Sequence, residues 1–193
     1  KHAREMGMDP DREPPFFFSK PADAVVANGT PVPYPPRTAN LHHEIELVVA
    51  IGTAGRDIPI DSALAHVYGY AVGLDLTRRD LQFAARDQGR PWDVSKGFDH
   101  SAPVSAVRPA ATMGHPEQGA IWLEVNGETR QRANLSEMIW NVAEIVAELS
   151  TYYELRPGDL VFTGTPEGVG ALKRGDSMVG GIDGLETLRI TIV

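Results

Sequence analysis

The run His43-Glu44-Ile45-Glu46-Leu47-Val48-Val49-Ala50-Ile51 constrains this chain more than any other segment. Acidic and apolar residues alternate, then give way to unbroken apolar sequence. The pattern predicts a strand over 42–52, in which residues two apart share a face. Glu44 and Glu46 are thereby pressed together beside sequence fit for burial. Like charges so placed repel and are costly to desolvate. A divalent cation between them removes both penalties, and hard oxygen ligands favour Mg²⁺, Mn²⁺ or Ca²⁺ over zinc. The alternative is an edge strand with two solvated glutamates, which for an isolated Glu-x-Glu is the commoner arrangement.

A third acid, Asp75, follows the apolar run Tyr70-Ala71-Val72-Gly73-Leu74, read as a strand. At the end of a buried strand it needs a partner. It can complete a three-carboxylate site with Glu44 and Glu46, leaving positions for water or substrate on an octahedral ion. It can equally pair with Arg78 or Arg79, or cap the segment after it. His2 and Glu5 have i, i+3 spacing, so one helical turn would let Glu5 support the imidazole as a base for water. Their spacing alone fits two solvated residues at a frayed end better. Arg79, Gln82 and Lys96 supply hydrogen-bond donors, although Arg78-Arg79-Asp80 also reads as a surface ion-pair cluster. The turn Thr163 to Gly170 offers backbone N–H groups and hydroxyls to a carboxylate. It lacks the lysine and spacing of a phosphate loop, which argues against nucleotide binding.

Several function classes drop out on composition. The 193 residues suit one domain with a substantial core. Acidic residues outnumber basic ones 26 to 18, so no nucleic-acid footprint is present. There are no cysteines, which removes disulfides, thiolate nucleophiles and cysteine-based zinc sites. No apolar run approaches membrane-spanning length. The balance fits a soluble cytoplasmic protein. The start, Lys1-His2-Ala3-Arg4-Glu5, is charged and has no initiator Met, so part of the natural N-terminus is expected to be missing.

Elsewhere the pattern is mostly β. Residues 1–15 read as a charged, proline-rich, mobile opening, and Phe16-Phe17-Phe18 as a strand. Asp61 to Val67 reads as a short helix capped by Asp or Ser. Thr77 to Gln88 reads as a helix or ordered loop. Ile121 to Val125 is a strand ending in the hairpin signal Asn126-Gly127. The clearest helix is predicted over Asn134 to Ser150, with Asn134 and Glu137 as cap and N3 acid, and with Leu135, Met138, Ile139, Val142, Ile145, Val146 and Leu149 as its apolar stripe. Leu160 to Phe162 reads as a strand and Ile182 to Val193 as a hairpin. Without regular β-α-β alternation, a TIM barrel or doubly wound sheet is disfavoured.

Taken in order, these segments resemble the fumarylacetoacetate hydrolase family. The matching pieces are His2-x-x-Glu5, Pro15-x-x-Phe18-x-Lys20-Pro21, His43-Glu44-Ile45-Glu46-Leu47, Tyr68-Gly69-Tyr70 through Asp75-Leu76-Thr77-Arg78-Arg79-Asp80-Leu81-Gln82, Lys96-Gly97-Phe98-Asp99, Val125-Asn126-Gly127, and Pro157-Gly158-Asp159 through Thr163-Gly164-Thr165-Pro166. Each is weak; the ordered set spans almost the whole chain. The stretches Arg12 to Pro21 and Gly73 to Asp80 are most similar to the branch acting on 3-fumarylpyruvate.

The resemblance implies a β-rich α+β fold, a mixed β-sandwich roll, formed by residues 1–193 as a single catalytic domain and commonly a homodimer. It implies Glu44, Glu46 and Asp75 as ligands of Mg²⁺ or Mn²⁺, with Ca²⁺ as a substitute. It implies His2 and Glu5 as a water-activating dyad on a lid formed by residues 1–15, Lys96 as an oxyanion donor, and Arg79, Gln82 and Thr165 lining a keto-acid site. The expected reaction is hydrolysis of a carbon–carbon bond in an acylpyruvate. The rivals are oxaloacetate decarboxylation, isomerisation or hydration on the same platform, a non-catalytic metal and keto-acid binding protein, and a structural acidic β-protein. The chain departs from the family pattern at its start, where an Asn-Tyr pair usually precedes the dyad.

Overall fold

The computed structural model of the protein describes residues 14–193. In chain order its first elements are strands β1 (Val25–Ala27), β2 (Leu41–His43), β3 (Ile45–Ile51), β4 (Val67–Leu74) and β5 (Thr77–Arg78). Helices α1 (Arg79–Asp87) and α2 (Asp93–Lys96) follow, then β6 (Ala102–Val104), β7 (Arg108–Pro109) and helix α3 (Ala110–Met113). The hairpin β8 (Ala120–Val125) and β9 (Glu128–Asn134) leads to α4 (Val142–Tyr152), and β10 (Leu160–Phe162), β11 (Gly170–Leu172), β12 (Ser177–Ile182) and β13 (Leu188–Thr191) complete the chain. The strands form three sheets: β1-β6-β4-β3-β10 with β7 beside β4, β11-β2-β5, and β13-β12-β8-β9. Strand-rich curled sheets with few helices are the α+β roll expected from the sequence.

All seven residues of β3 are buried, and the strand lies between β4 and β10. It is not an edge, so the solvated Glu-x-Glu arrangement does not apply. Its two faces bury different things. Ile45, Leu47, Val49 and Ile51 enter the main core with Leu123, Met178, Ile190 and the Ile145 and Val146 side chains of α4. Val48 belongs to a small separate cluster with Ala71 and Val104. Glu44 and Glu46 lie on that second face by the two-residue period. The third sheet closes the main core tightly: a Cβ on Gly180 would lie 2.3 Å from Ile45 Cδ1. Any larger residue there would force the buried Ile45 side chain to shift.

Three local readings need correction. The long helix does not begin at Asn134. Asn134 and Glu137 do form a reciprocal capping box, but it caps only a 3₁₀ turn, Leu135–Glu137. A second box, Asn141 with Glu144, starts α4. Ile139, placed on the stripe by spacing, is half exposed because it precedes the helix. Phe16 to Phe18 form no strand; Phe16 and Phe18 instead pack on the Trp92 ring. The turn over Ile60–His66 is 3₁₀, and neither Asp61 nor Ser62 caps it, because Pro59 occupies the cap position. By contrast Asn126 and Gly127 both have positive φ, as the two-residue hairpin between β8 and β9 demands.

Candidate metal and keto-acid site

Strand register explains why three acids distant in sequence meet. In the antiparallel pair, Ile45 faces Leu74 and Glu46 faces Gly73. The next step places Glu44 against Asp75, and the Asp75 N–H donates to the Glu44 carbonyl at 2.9 Å. Glu44 is the single residue between β2 and β3, where the chain passes from one sheet to another. Carboxylate oxygens of Glu44, Glu46 and Asp75 all lie within 4.8 Å of one another, and all three residues are buried.

Cations surround two of these acids. Lys96, at the end of α2, donates to Glu44 Oε2 at 2.7 Å and to Asp75 Oδ2 at 2.6 Å. Lys20 Nζ lies 2.8 Å from Asp75 Oδ1 and donates to the carbonyls of Leu76 and Lys96. Arg79, the first residue of α1, donates to Glu44 and to Gln82 Oε1. Its remaining Nε–H reaches His42 Nδ1 at 3.3 Å. Burial tends to lower the Lys96 pKa, but Asp75 and Glu44 outweigh it and the ammonium is held above its ordinary value. For Lys20 burial wins over Asp75, and the pKa is lowered.

Glu46 is different. Its carboxylate accepts the Gly164 N–H at 2.7 Å, and among the described residues no ion pair reaches it. Burial first, then the Asp75 and Glu44 charges, hold its pKa well above the usual carboxylate range. A buried anion without a counter-ion, at the meeting point of three hard oxygen donors, fits a divalent cation. The donor set contains no sulfur and favours Mg²⁺ or Mn²⁺ over zinc.

The loop after β10 joins the site from the opposite side. Thr163 donates through its N–H and its hydroxyl to the Leu47 carbonyl, and Gly164 holds Glu46. Thr165, half-buried, is held by Gln131 of β9 at 2.8 Å. Thus Glu44, Asp75, Lys96, Arg79 and Gln82 form one bonded network, and Glu46 lies against its acids while held by Gly164, the neighbour of Thr165. Arg79 and Gln82, read from sequence as donors lining the site, are buried and bond to each other, and Arg79 also holds Glu44. His2 and Glu5, and the lid over residues 1–15 except Pro14 and Pro15, lie outside the described residues.

The sequence reading assigned no role to Lys20, His42, His43 or Gln131. Lys20 and His43 stand inside matched motifs, the one signal either offers. Gln131 gave none: it is a polar residue in a strand flanked by Arg130 and Arg132, yet it is buried. His42 is pushed down to about 4, by burial first and then by the Arg79 charge. His43 is lowered mainly by burial. Both rings are therefore neutral at physiological pH.

Comparison with known proteins agrees with this geometry. The profile of the fumarylacetoacetate (FAA) hydrolase C-terminal family matches residues 1–193. The chain is 50% identical over 185 residues to a fumarylpyruvate hydrolase of a Ralstonia species, covering 96% of each chain. It is 41% identical over 191 residues to a mitochondrial oxaloacetate tautomerase of Rattus norvegicus, covering 99% of this chain and 86% of the other. Among solved structures, the Pseudomonas aeruginosa fumarylpyruvate hydrolase in complex with Mn²⁺ and pyruvate superposes with a TM-score of 0.96 at 60% identity, covering 99% of this chain and 84% of that one. The shared profile, the identities and the carboxylate cluster agree: this chain belongs to the fumarylacetoacetate hydrolase family.

Proposed function

We propose that the protein is a Mg²⁺- or Mn²⁺-dependent hydrolase that cleaves 3-fumarylpyruvate to fumarate and pyruvate. The observation that carries this reading is the buried trio Glu44, Glu46 and Asp75 with the Lys96 ammonium set between two of its members. Glu44, Glu46 and Asp75 would hold the metal, which when bound supplies Lewis acidity and a fixed anchor for a 2-keto acid.

The chain's own residues do the rest. An ammonium has three N–H groups, and Lys96 directs two at carboxylates. Its third is the donor for the oxyanion that develops when water attacks the carbonyl beside the fumaryl group. Lys20 and Arg79 keep Asp75 and Glu44 ionised and aimed, and Arg79 also fixes Gln82. Thr165 and its turn hold a substrate carboxylate. His2, supported by Glu5, takes the proton from water; this assignment rests on the family resemblance. The bond between the attacked carbon and the pyruvyl methylene then breaks. Its electron pair delocalises into the adjacent keto group, and a proton completes the methyl group of pyruvate.

The same reading makes the protein a cytoplasmic homodimer with residues 1–193 as one catalytic domain, working in aromatic compound catabolism. Identities of 50–60% to fumarylpyruvate hydrolases against about 41% to the oxaloacetate tautomerase favour hydrolysis over the related reactions. The deciding experiment is turnover of 3-fumarylpyruvate with and without Mn²⁺, beside other acylpyruvates and oxaloacetate, with product analysis. Metal-dependent formation of fumarate and pyruvate is expected. Faster conversion of oxaloacetate, or keto-acid binding without products, would replace this reading. His2→Ala is expected to lose about 10²–10⁴-fold in turnover with unchanged metal affinity; sedimentation at working concentration tests the dimer.

A further inference from the structure

We propose that Gln131 is a positioning residue for the keto-acid site: it fixes the polarity of the Thr165 hydroxyl so that Thr165 can only donate to a bound carboxylate. The inference rests on the reading of Thr165 as a carboxylate ligand. It follows from groups whose hydrogen-bonding roles cannot be exchanged.

Gln131 is 1% exposed and spans the gap between the start of β3 and the turn after β10. Its Oε1 receives the Ile45 backbone N–H at 3.1 Å. A backbone N–H only donates, so that end of the amide must be oxygen. Its Nε2 lies 2.9 Å from the Pro166 carbonyl, which only accepts, so that end must be nitrogen. The amide therefore has one possible orientation. Two further assignments are then forced. His43 Nδ1, 3.0 Å from the same Oε1, carries the proton of a neutral ring. Thr165 Oγ1, 2.8 Å from Nε2, accepts from Gln131.

A hydroxyl that already accepts this bond keeps its own hydrogen to give away. Among the described residues the Thr165 hydroxyl accepts but does not donate. Thr165 also adjoins Gly164, whose N–H holds Glu46, one of the proposed metal ligands, at 2.7 Å. The donated hydrogen is thus offered on the metal side of the site, where the carboxylate of a 2-keto acid lies next to the oxygen that a metal would take. Because Gln131 also grips Ile45, beside both Glu44 and Glu46, one buried amide ties the carboxylate anchor to the strand bearing the metal ligands.

The test is a double-mutant cycle read by pyruvate binding to the Mn²⁺-loaded protein, with Gln131→Glu, Thr165→Val and the double variant. A carboxylate at this position keeps the bonds from Ile45 and His43 but presents an acceptor to Thr165, which turns the hydroxyl hydrogen inward. Pyruvate affinity is expected to fall about 10–100-fold in Gln131→Glu, the range for losing a hydrogen bond to a charged group. In the Thr165→Val background the same change is expected to cost about threefold or less, the residue of charge repulsion and of the lost bond to the Pro166 carbonyl. Equal losses in both backgrounds, or no loss in Gln131→Glu, would overturn the proposal, since a merely structural glutamine would weaken binding with or without the hydroxyl. Should Gln131→Glu not fold, Gln131→Met carries the same cycle without added charge. Turnover of 3-fumarylpyruvate is followed in parallel. A parent protein that binds pyruvate with the expected coupling but does not cleave that substrate contradicts only the hydrolase reading; one that cleaves it without the coupling contradicts only the role of Gln131.

Discussion

The protein carries two kinds of charged cluster, and they differ in what assembles them. On the surface, Arg86 pairs with Asp87 and Arg156 with Glu154, one and two residues apart in sequence. These side chains are roughly half exposed or more. In the site, Lys96 reaches Glu44 across 52 residues and Arg79 reaches it across 35, with side chains 2–5% exposed. Chain proximity makes the first kind at almost no cost, and solvent screens it. Only the completed fold makes the second, and it must offset the desolvation of every member. The buried cluster is therefore where losing one partner should matter most. Glu46, which pairs with no cation among the described residues, marks where a metal would complete it.

The sharpest way to break this contrast is at Lys96. Lys96→Met leaves the Glu44 and Asp75 carboxylates short of a counter-ion in a buried site. The metal-free variant is expected to lose stability toward the low end of the roughly 3–5 kcal/mol range for breaking a buried pair, because Arg79 still serves Glu44 and Lys20 still serves Asp75. Mn²⁺ should raise the melting temperature of the variant more than that of the parent, because the ion supplies the missing positive charge. Turnover should nevertheless fall about 10²–10³-fold, since the oxyanion donor is gone. Thermal unfolding with and without Mn²⁺, beside steady-state kinetics, separates the two effects. Equal Mn²⁺ stabilisation in both proteins would show that Lys96 and the ion do not share a task.

Asp75→Asn comes next. It removes a charge that serves Lys20, Lys96 and the proposed metal together. Mn²⁺ affinity is expected to weaken by more than the 10–100-fold typical of changes one layer further out. The loss should be larger than for Gln82→Ala, whose side chain, among the described residues, bonds Arg79 rather than the three acids. A titration of each variant with Mn²⁺ checks the order. Unchanged affinity in Asp75→Asn would remove it from the ligand set.

How much of this was legible beforehand follows the same division. The acids were visible because alternation in a strand fixes which side chains share a face, and because Asp75 ends an apolar run. Their ordered company identified the family. What composition and spacing left out were partners contributed by distant chain: Lys20 on Asp75, and Gln131 linking Ile45 to Thr165. Neither has a local pattern, because nothing near it in sequence shares its task. The misplaced helix start has another cause. Two Asn-x-x-Glu boxes lie seven residues apart, and sequence alone does not say which one the long helix uses. Arg79 shows a third limit: a donor at the start of a helix does not reveal in sequence that it holds Glu44 from 35 residues away.

Asp80 tests the middle ground, a half-buried charge satisfied by neutral donors. It accepts from the Thr38 hydroxyl at 2.6 Å and from the N–H groups of Ala39 and Leu81 at 3.0 and 2.9 Å. Burial alone would raise its pKa, but these three bonds outweigh it and hold the carboxyl below the usual range. A depressed folded-state pKa means that this stability is present above the unfolded value, roughly 3.9, and is lost as pH falls through the folded value. Asp80→Asn is expected to cost about 1 kcal/mol or less at neutral pH, given its partial exposure. At acid pH, below the folded value, the variant and the parent should converge. Urea unfolding at both pH values reads this directly, and a constant gap would assign the effect to packing.

The smallest effect is expected on the surface. In Arg156→Ala the 3.2 Å contact to Glu154 disappears. The structural role of residue 156 does not reside in that contact. Its backbone N–H donates to the Asp159 carboxylate at 2.7 Å, and its carbonyl accepts the Asp159 N–H at 3.0 Å, closing the turn through Pro157 and Gly158. Both bonds survive truncation to alanine. The guanidinium is 71% exposed, so removing it creates no cavity and leaves Glu154 free to be solvated. The expected change is within about 0.5 kcal/mol, or about 1–2 °C in melting temperature for a protein of this size. It should be equally small at low and high salt. A loss approaching that of Lys96→Met would mean that the exposed pair is held as rigidly as the buried cluster, and the division between local and long-range charge would not describe this protein.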